Sequence, residues 1–88
     1  MTDTASPVEV PTARAVLQHV VDSLVDDHEA VRIDVEEGRS LPRLTVSVGP
    51  ADMGRVIGKR GRVAHAIRTV VRAAAARDGT DVEVEFED

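Results

Sequence analysis

The chain has 88 residues and a mass of 9.4 kDa, which suffices for one small domain and leaves nothing from which to build a second core. Its 31% charged residues, with no apolar run near the roughly 18 residues of a membrane span, exclude a spanning helix; 16 Val and 11 Ala dictate a thin core of small side chains. The formal charge of −5 argues, taken as an average, against a polyanionic partner, and the lack of cysteine rules out disulfides and thiolate chemistry, as suits a reducing, cytoplasmic setting.

Residues 1–10 show no sustained periodicity and contain Asp3, Ser6, Pro7 and Glu9. They are expected to form a flexible tail ahead of a single domain over residues 11–88, and they lack the basic start and apolar stretch of a secretory signal. From Ala13 the apolar positions Val16, Leu17, Val20, Val21, Leu24 and Val25 recur at the three-and-four spacing of an amphipathic helix. Pro11 suits its first position, where a missing N–H is no loss, and Asp26, Asp27 and His28 mark the exit.

The period then changes to two. Val31, Ile33 and Val35 alternate with Arg32, Asp34 and Glu36, and Leu44, Val46 and Val48 alternate with Thr45 and Ser47; both read as half-buried strands of a hairpin joined through Glu37 to Pro42. Gly49 and Pro50 end the second strand, leaving Ala51 to Ile57 for about two helical turns. After Gly58-Lys59-Arg60-Gly61, a helix from Arg62 to Arg77 presents Val63, Ile67, Val70, Val71 and Ala74 on one face, and Asp78-Gly79 stops it. Val82, Val84 and Phe86, alternating with Glu83, Glu85 and Glu87, make a third strand with an acidic outer face.

The order α-β-β-α-α-β predicts an α+β, two-layer domain. About thirty residues join the second strand to the third, enough for a right-handed crossover that lays them parallel. A three-stranded mixed sheet follows, with three helices packed on one face.

The charge is sorted along this order. Residues 51–77 hold seven basic side chains against Asp52 alone, a local +6, whereas the remainder holds four basic residues and fifteen acids. With a screening length of about 8 Å at physiological salt, a polyanion beside the basic segment responds to the local sign. Within it, Gly58 and Gly61 bracket Lys59 and Arg60 between two helices. Glycines there let backbone approach a polynucleotide closely, with amides at the following helix start facing phosphate oxygens. Taken alone, the four residues read rather as an ordinary tight turn with solvated basic tips. A nucleotide-triphosphate loop is excluded, because Gly54 and Gly58 are separated by three residues rather than four and Arg60 stands where Ser or Thr is needed.

The run from Ala51 to Ala75, and above all Val56, Ile57, Gly58, Lys59, Arg60, Gly61 and the apolar-faced helix behind them, resembles a KH domain. It is similar in particular to the small bacterial stand-alone KH proteins of the KhpA family, in the type II topology, over about Thr12 to Glu87. The resemblance implies single-stranded RNA binding, with Gly58, Lys59, Arg60 and Gly61 clamping the backbone of about four nucleotides. It also implies Ile57 in the groove floor, Arg55 and Arg62 as flanking contacts, Arg68 and Arg72 as weaker ones, and a role as RNA chaperone or post-transcriptional regulator. A larger KH-containing partner of the KhpB type, a homodimer, and a link to cell-shape or envelope control are further implications.

With a single aromatic residue, Phe86, stacking platforms are lacking, so low sequence specificity is expected. About three phosphate contacts on a single strand predict a log-log salt slope near −2. His19, His28 and His65 have no metal-ligand spacing, although His65 lies three residues from both Arg62 and Arg68. No nucleophile is paired with a base, so the chain reads as a non-enzyme without metal or cofactor. A protein-interaction subunit whose exposed apolar surface is completed by self-association or a partner, and a ribosome-assembly factor, are the alternatives.

Overall fold

A computed structural model describes residues 9–87. Its sheet is centred on β2 (Pro42–Ser47), with β1 (Arg32–Glu37) antiparallel on one side and β3 (Glu83–Glu87) parallel on the other. Helices α1 (Pro11–Leu24), α2 (Met53–Ile57) and α3 (Arg62–Ala75) complete the order α-β-β-α-α-β. The architecture is the two-layer α+β domain with a mixed sheet that periodicity predicts.

Register shows how the alternation is used. Ile33, Val46 and Phe86 form one row across the sheet, and Val35, Leu44 and Val84 form the next. These rows meet Ala13, Leu17 and Val21 of α1 and Ile67, Val71 and Ala75 of α3 in one core. Val35 is the exception, exposed on the edge strand β1. On the outer face, Arg43 of the central strand sits among Glu36, Glu83 and Glu85 at 3.5–3.8 Å, so the acids of both edge strands converge on one cation.

The α3 stripe is rotated from the expected one. Ala64, Ile67, Val71 and Ala75 are buried, whereas Val70 is 50% exposed and Val63 and Ala74 are only partly covered. Alanines on the inner side let α3 approach the sheet and α1, and the bulkier Val63 and Val70 are left on the flank. The helix also stops at Ala75, and a 3-10 turn over Ala76–Asp78 carries the chain to Gly79, which is left-handed at φ 81°.

Two carboxylates join distant segments. α1 begins at Pro11, but Val10 before it has no side chain able to cap; the carboxylate of Asp78 accepts the Thr12 and Ala13 amides at 3.0 and 2.9 Å instead. Val10, within the expected tail, is itself buried; Glu9 is exposed, and residues 1–8 lie outside the described residues. Asp52, 2% exposed, accepts the Asp26 and Asp27 amides at 3.1 and 3.0 Å, tying the exit of α1 to the start of α2.

Both groups are held below the ordinary carboxylate value of 3.8. For Asp52 the Asp27 and Asp26 amides are the main cause, burial opposes them, and the charges of Arg55 and His28 add to the lowering. For Asp78 burial pushes upward, and the Ala13 and Thr12 amides with the Thr12 hydroxyl outweigh it. A carboxyl depressed on folding contributes fully above its unfolded pKa and is lost as pH falls through the folded value. The urea midpoint is therefore expected to stay level from neutrality down to about pH 5 and then fall. Asp52→Asn and Asp78→Asn should each lower the midpoint at pH 7 and flatten the acid limb, followed by circular dichroism; limbs parallel to the wild type would refute the assignment.

Candidate nucleic-acid interface

The turn between α2 and α3 is built by backbone geometry that side chains disfavour. The Gly58 amide bonds the Gly54 carbonyl at 2.8 Å to close α2, and the Gly61 amide bonds the Gly58 carbonyl at 3.1 Å. Gly58 has φ 76°, ψ 173°, a region essentially confined to glycine. A β-carbon placed on it would lie 2.5 Å from Val63 Cγ2 and 2.9 Å from both the Val63 β-carbon and amide nitrogen, so the chain can double back on α3 only with hydrogen at this site. Gly61 is left-handed at φ 72° but would meet nothing within 4 Å. Between them Arg60, at φ 57°, is the one non-glycine with positive φ among the described residues, a conformation that costs roughly 1–2 kcal/mol. The strain sits at the tip, where Lys59 and Arg60 are exposed.

The basic side chains divide into two groups. Arg55 lies 2.8 Å from Asp26 Oδ2 and 3.5 Å from Asp52 Oδ1. Arg72 donates from Nε and Nη2 to the two oxygens of Asp81 at 2.9 and 2.7 Å; that hydrogen bond is the first cause holding the Asp81 carboxyl at about 2. Arg68 donates from Nε to the Val84 carbonyl at 3.1 Å, with its guanidinium carbon 5.1 Å from the centre of the Phe86 ring. None of the ion pairs among the described residues involves Lys59, Arg60 or Arg62, and all three are exposed. Ile57, half-buried just before the turn, packs against the core.

The family model for the KH domain of KhpA and KhpB matches residues 14–86. The chain belongs to the KhpA/KhpB KH-domain family. Among its relatives, RNA-binding protein KhpA of Clostridium acetobutylicum is 43% identical over 73 residues, covering 83% of this chain and 97% of the relative. RNA-binding protein KhpA of Clostridium perfringens is 44% identical with the same coverage, and that of Bacillus subtilis is 43% identical over 70 residues, covering 80% and 86%. A crystal structure of Aquifex aeolicus Era superposes with a TM-score of 0.64 at 17% identity, over 94% of this chain and 31% of that one, a likeness of fold alone.

In this KH domain the structure brings Gly58, Lys59, Arg60, Gly61 and Arg62 together at one exposed corner. Arg55 and Arg68, expected beside them, are held by an acid pair and by the edge of β3. Charge counting had no means of separating these groups, because the partners of Arg55 and Arg68 lie up to 29 and 18 residues away in sequence. Asp52 was marked in the sequence as the one acid in a basic segment, although its role as an amide acceptor was not. Steric demand orders the two glycines: Gly58→Ala should destabilise the domain more than Gly61→Ala, which carries only the left-handed penalty of about 1–2 kcal/mol. Equal losses in urea unfolding would contradict the close approach of Val63.

Proposed function

We propose that this KH domain is a single-stranded RNA-binding protein that grips the sugar-phosphate backbone through Gly58, Lys59, Arg60 and Gly61, with Arg62 alongside. The observation that carries this reading is the coincidence of three exposed cations without an acidic partner among the described residues and a glycine-bracketed turn with open space at Gly61. A side chain already matched to a carboxylate must break that pair to bind phosphate; Lys59, Arg60 and Arg62 need not. The acidic outer face of the sheet repels a polyanion, so the basic corner also selects the direction of approach. The names of the relatives support RNA as the ligand, and the fold class is one in which this loop clamps about four nucleotides. Under this reading the protein serves as a cytoplasmic RNA chaperone or post-transcriptional regulator, alone or with a KhpB-type partner, with a link to cell-shape control.

Reversing the charge at the tip with Lys59→Asp and Arg60→Asp should weaken oligoribonucleotide binding at least about tenfold, as for loss of two phosphate contacts. For the wild type, the log-log dependence of affinity on salt should have a slope near −2, and the double variant should approach about −0.7, the value for one remaining contact. Fluorescence anisotropy across a salt series measures both. Retained affinity with an unchanged slope would remove the loop from the interface and favour the protein-interaction alternative; ribosome-gradient sedimentation tests the ribosome-assembly one.

A second reading, self-association, has one observation in its favour: Val70 stands 50% exposed on the flank of α3, away from the turn. If that flank is the surface of a homodimer, Val70→Asp should shift the sedimentation coefficient to that of a 9.4 kDa monomer without loss of RNA binding. A wild type that is already monomeric at high concentration would dismiss it.

A further inference from the structure

Arg68 of α3, laid along the edge of β3, is held differently from the three cations at the turn. Phe86, the single aromatic residue of the chain, is partly exposed on β3, and the guanidinium of Arg68 lies over its ring. The Arg68 Nε donates to the Val84 carbonyl. Ring and carbonyl together hold the plane of the guanidinium, while neither terminal amino group takes part in a side-chain hydrogen bond or ion pair among the described residues. An exposed arginine ordinarily spends rotamer freedom to make a paired contact; here that freedom is already restricted.

The surroundings match a neutral base better than a second phosphate. A cavity of about 290 Å³ is lined by Arg68 and Arg72 of α3, the 81–84 stretch leading into β3, and Leu41. Its lining carries two carboxylates, Asp81 matched by Arg72 at 2.7 Å and Glu83, which shares Arg43 with Glu36 and Glu85 at 3.5–3.8 Å. Arg68 is the lining arginine not matched to a carboxylate among the described residues, and the shared glutamate disfavours a second phosphate. Arg68 is six residues beyond Arg62, about 9 Å along α3 at 1.5 Å per residue, within the stretch that a four-nucleotide strand starting at the turn covers.

We infer that Arg68 reads a guanine in this groove, its two terminal amino groups donating to O6 and N7. This rests on the RNA reading above and deepens it by assigning a base preference. Guanine presents two adjacent acceptors to such a fork, whereas adenine presents one acceptor and an amino donor, which sets an N–H against an N–H. The domain therefore prefers guanosine to adenosine at one position of an otherwise loosely read strand.

The test uses labelled oligoadenylates of about eight nucleotides, twice the length the loop clamps, with and without one central guanosine, and with 7-deazaguanosine in its place. For the wild type, guanosine should tighten binding about tenfold, the discrimination typical of one bidentate arginine. 7-Deazaguanosine, which lacks the N7 acceptor, should lose most of that gain without any change to the protein. Arg68→Lys, which keeps the charge and removes the fork, should show no preference between the guanosine and adenosine strands. Equal wild-type affinities for the guanosine and adenosine strands, or a preference that survives either 7-deazaguanosine or Arg68→Lys, overturns the assignment. If that happens while Lys59→Asp with Arg60→Asp still weakens oligoadenylate binding at least about tenfold, the backbone grip stands and the base reading alone fails. Absence of any wild-type binding overturns both.

Discussion

The turn between α2 and α3 depends on the approach of Gly58 to Val63. With no β-carbon in the way, the chain leaves α2, reverses, and enters α3 within four residues. That reversal places Lys59 and Arg60 at an outer corner and turns the backbone outward. Any larger residue at Gly58 would push the α3 start away from α2 and carry Arg62 with it. Gly61 has no such neighbour, so its role is conformational: it accepts a left-handed φ and leaves its backbone uncovered. The two glycines of the motif therefore act by different physics, one by close packing and one by exposure.

A turn of this kind needs a rigid base, and α2, at five residues, is too short to persist by its own hydrogen bonds. Its stability comes from outside. Val56 is buried in the core, and Asp52 anchors the helix start to the two amides that follow α1. Asp78 does the corresponding work at the other end of α1. Two carboxylates thus serve as caps for backbone groups far away in sequence, which links the element that presents the loop to the layer beneath it.

The arginines divide according to what the fold places beside them. Arg43 collects the sheet acids, Arg55 and Arg72 are matched to aspartates, and Arg68 is laid along the edge of β3. What remains at the corner is a small, unneutralised group of three cations on a body of opposite sign. Such an arrangement favours one orientation of an extended polyanion and keeps the proposed phosphate grip separate from the groove beside β3. Division of labour between charge at the turn and shape at the edge follows from pairing, not from composition.

Much of this was legible in the residues. Period-two and period-3.6 patterns reach across only a few positions, so Ile33, Val46 and Val84, or Leu17 and Val21, report their element and inward face directly. The Gly58–Gly61 spacing and its basic content marked the turn for the same reason. Less was legible where the answer depended on a neighbour remote in the chain: the α3 stripe settled on Ala64 and Ala75 because of how near α1 and the sheet come, Val10 proved to be core, and Asp78 found its amides 65 and 66 residues away. By itself the sequence determined the elements, their order, and the turn that carries the glycines, since each is encoded by adjacent residues. Only the tertiary structure decided which cations stay unpaired, since an arginine is neutralised by whichever acid, carbonyl or ring folding brings within a few ångströms.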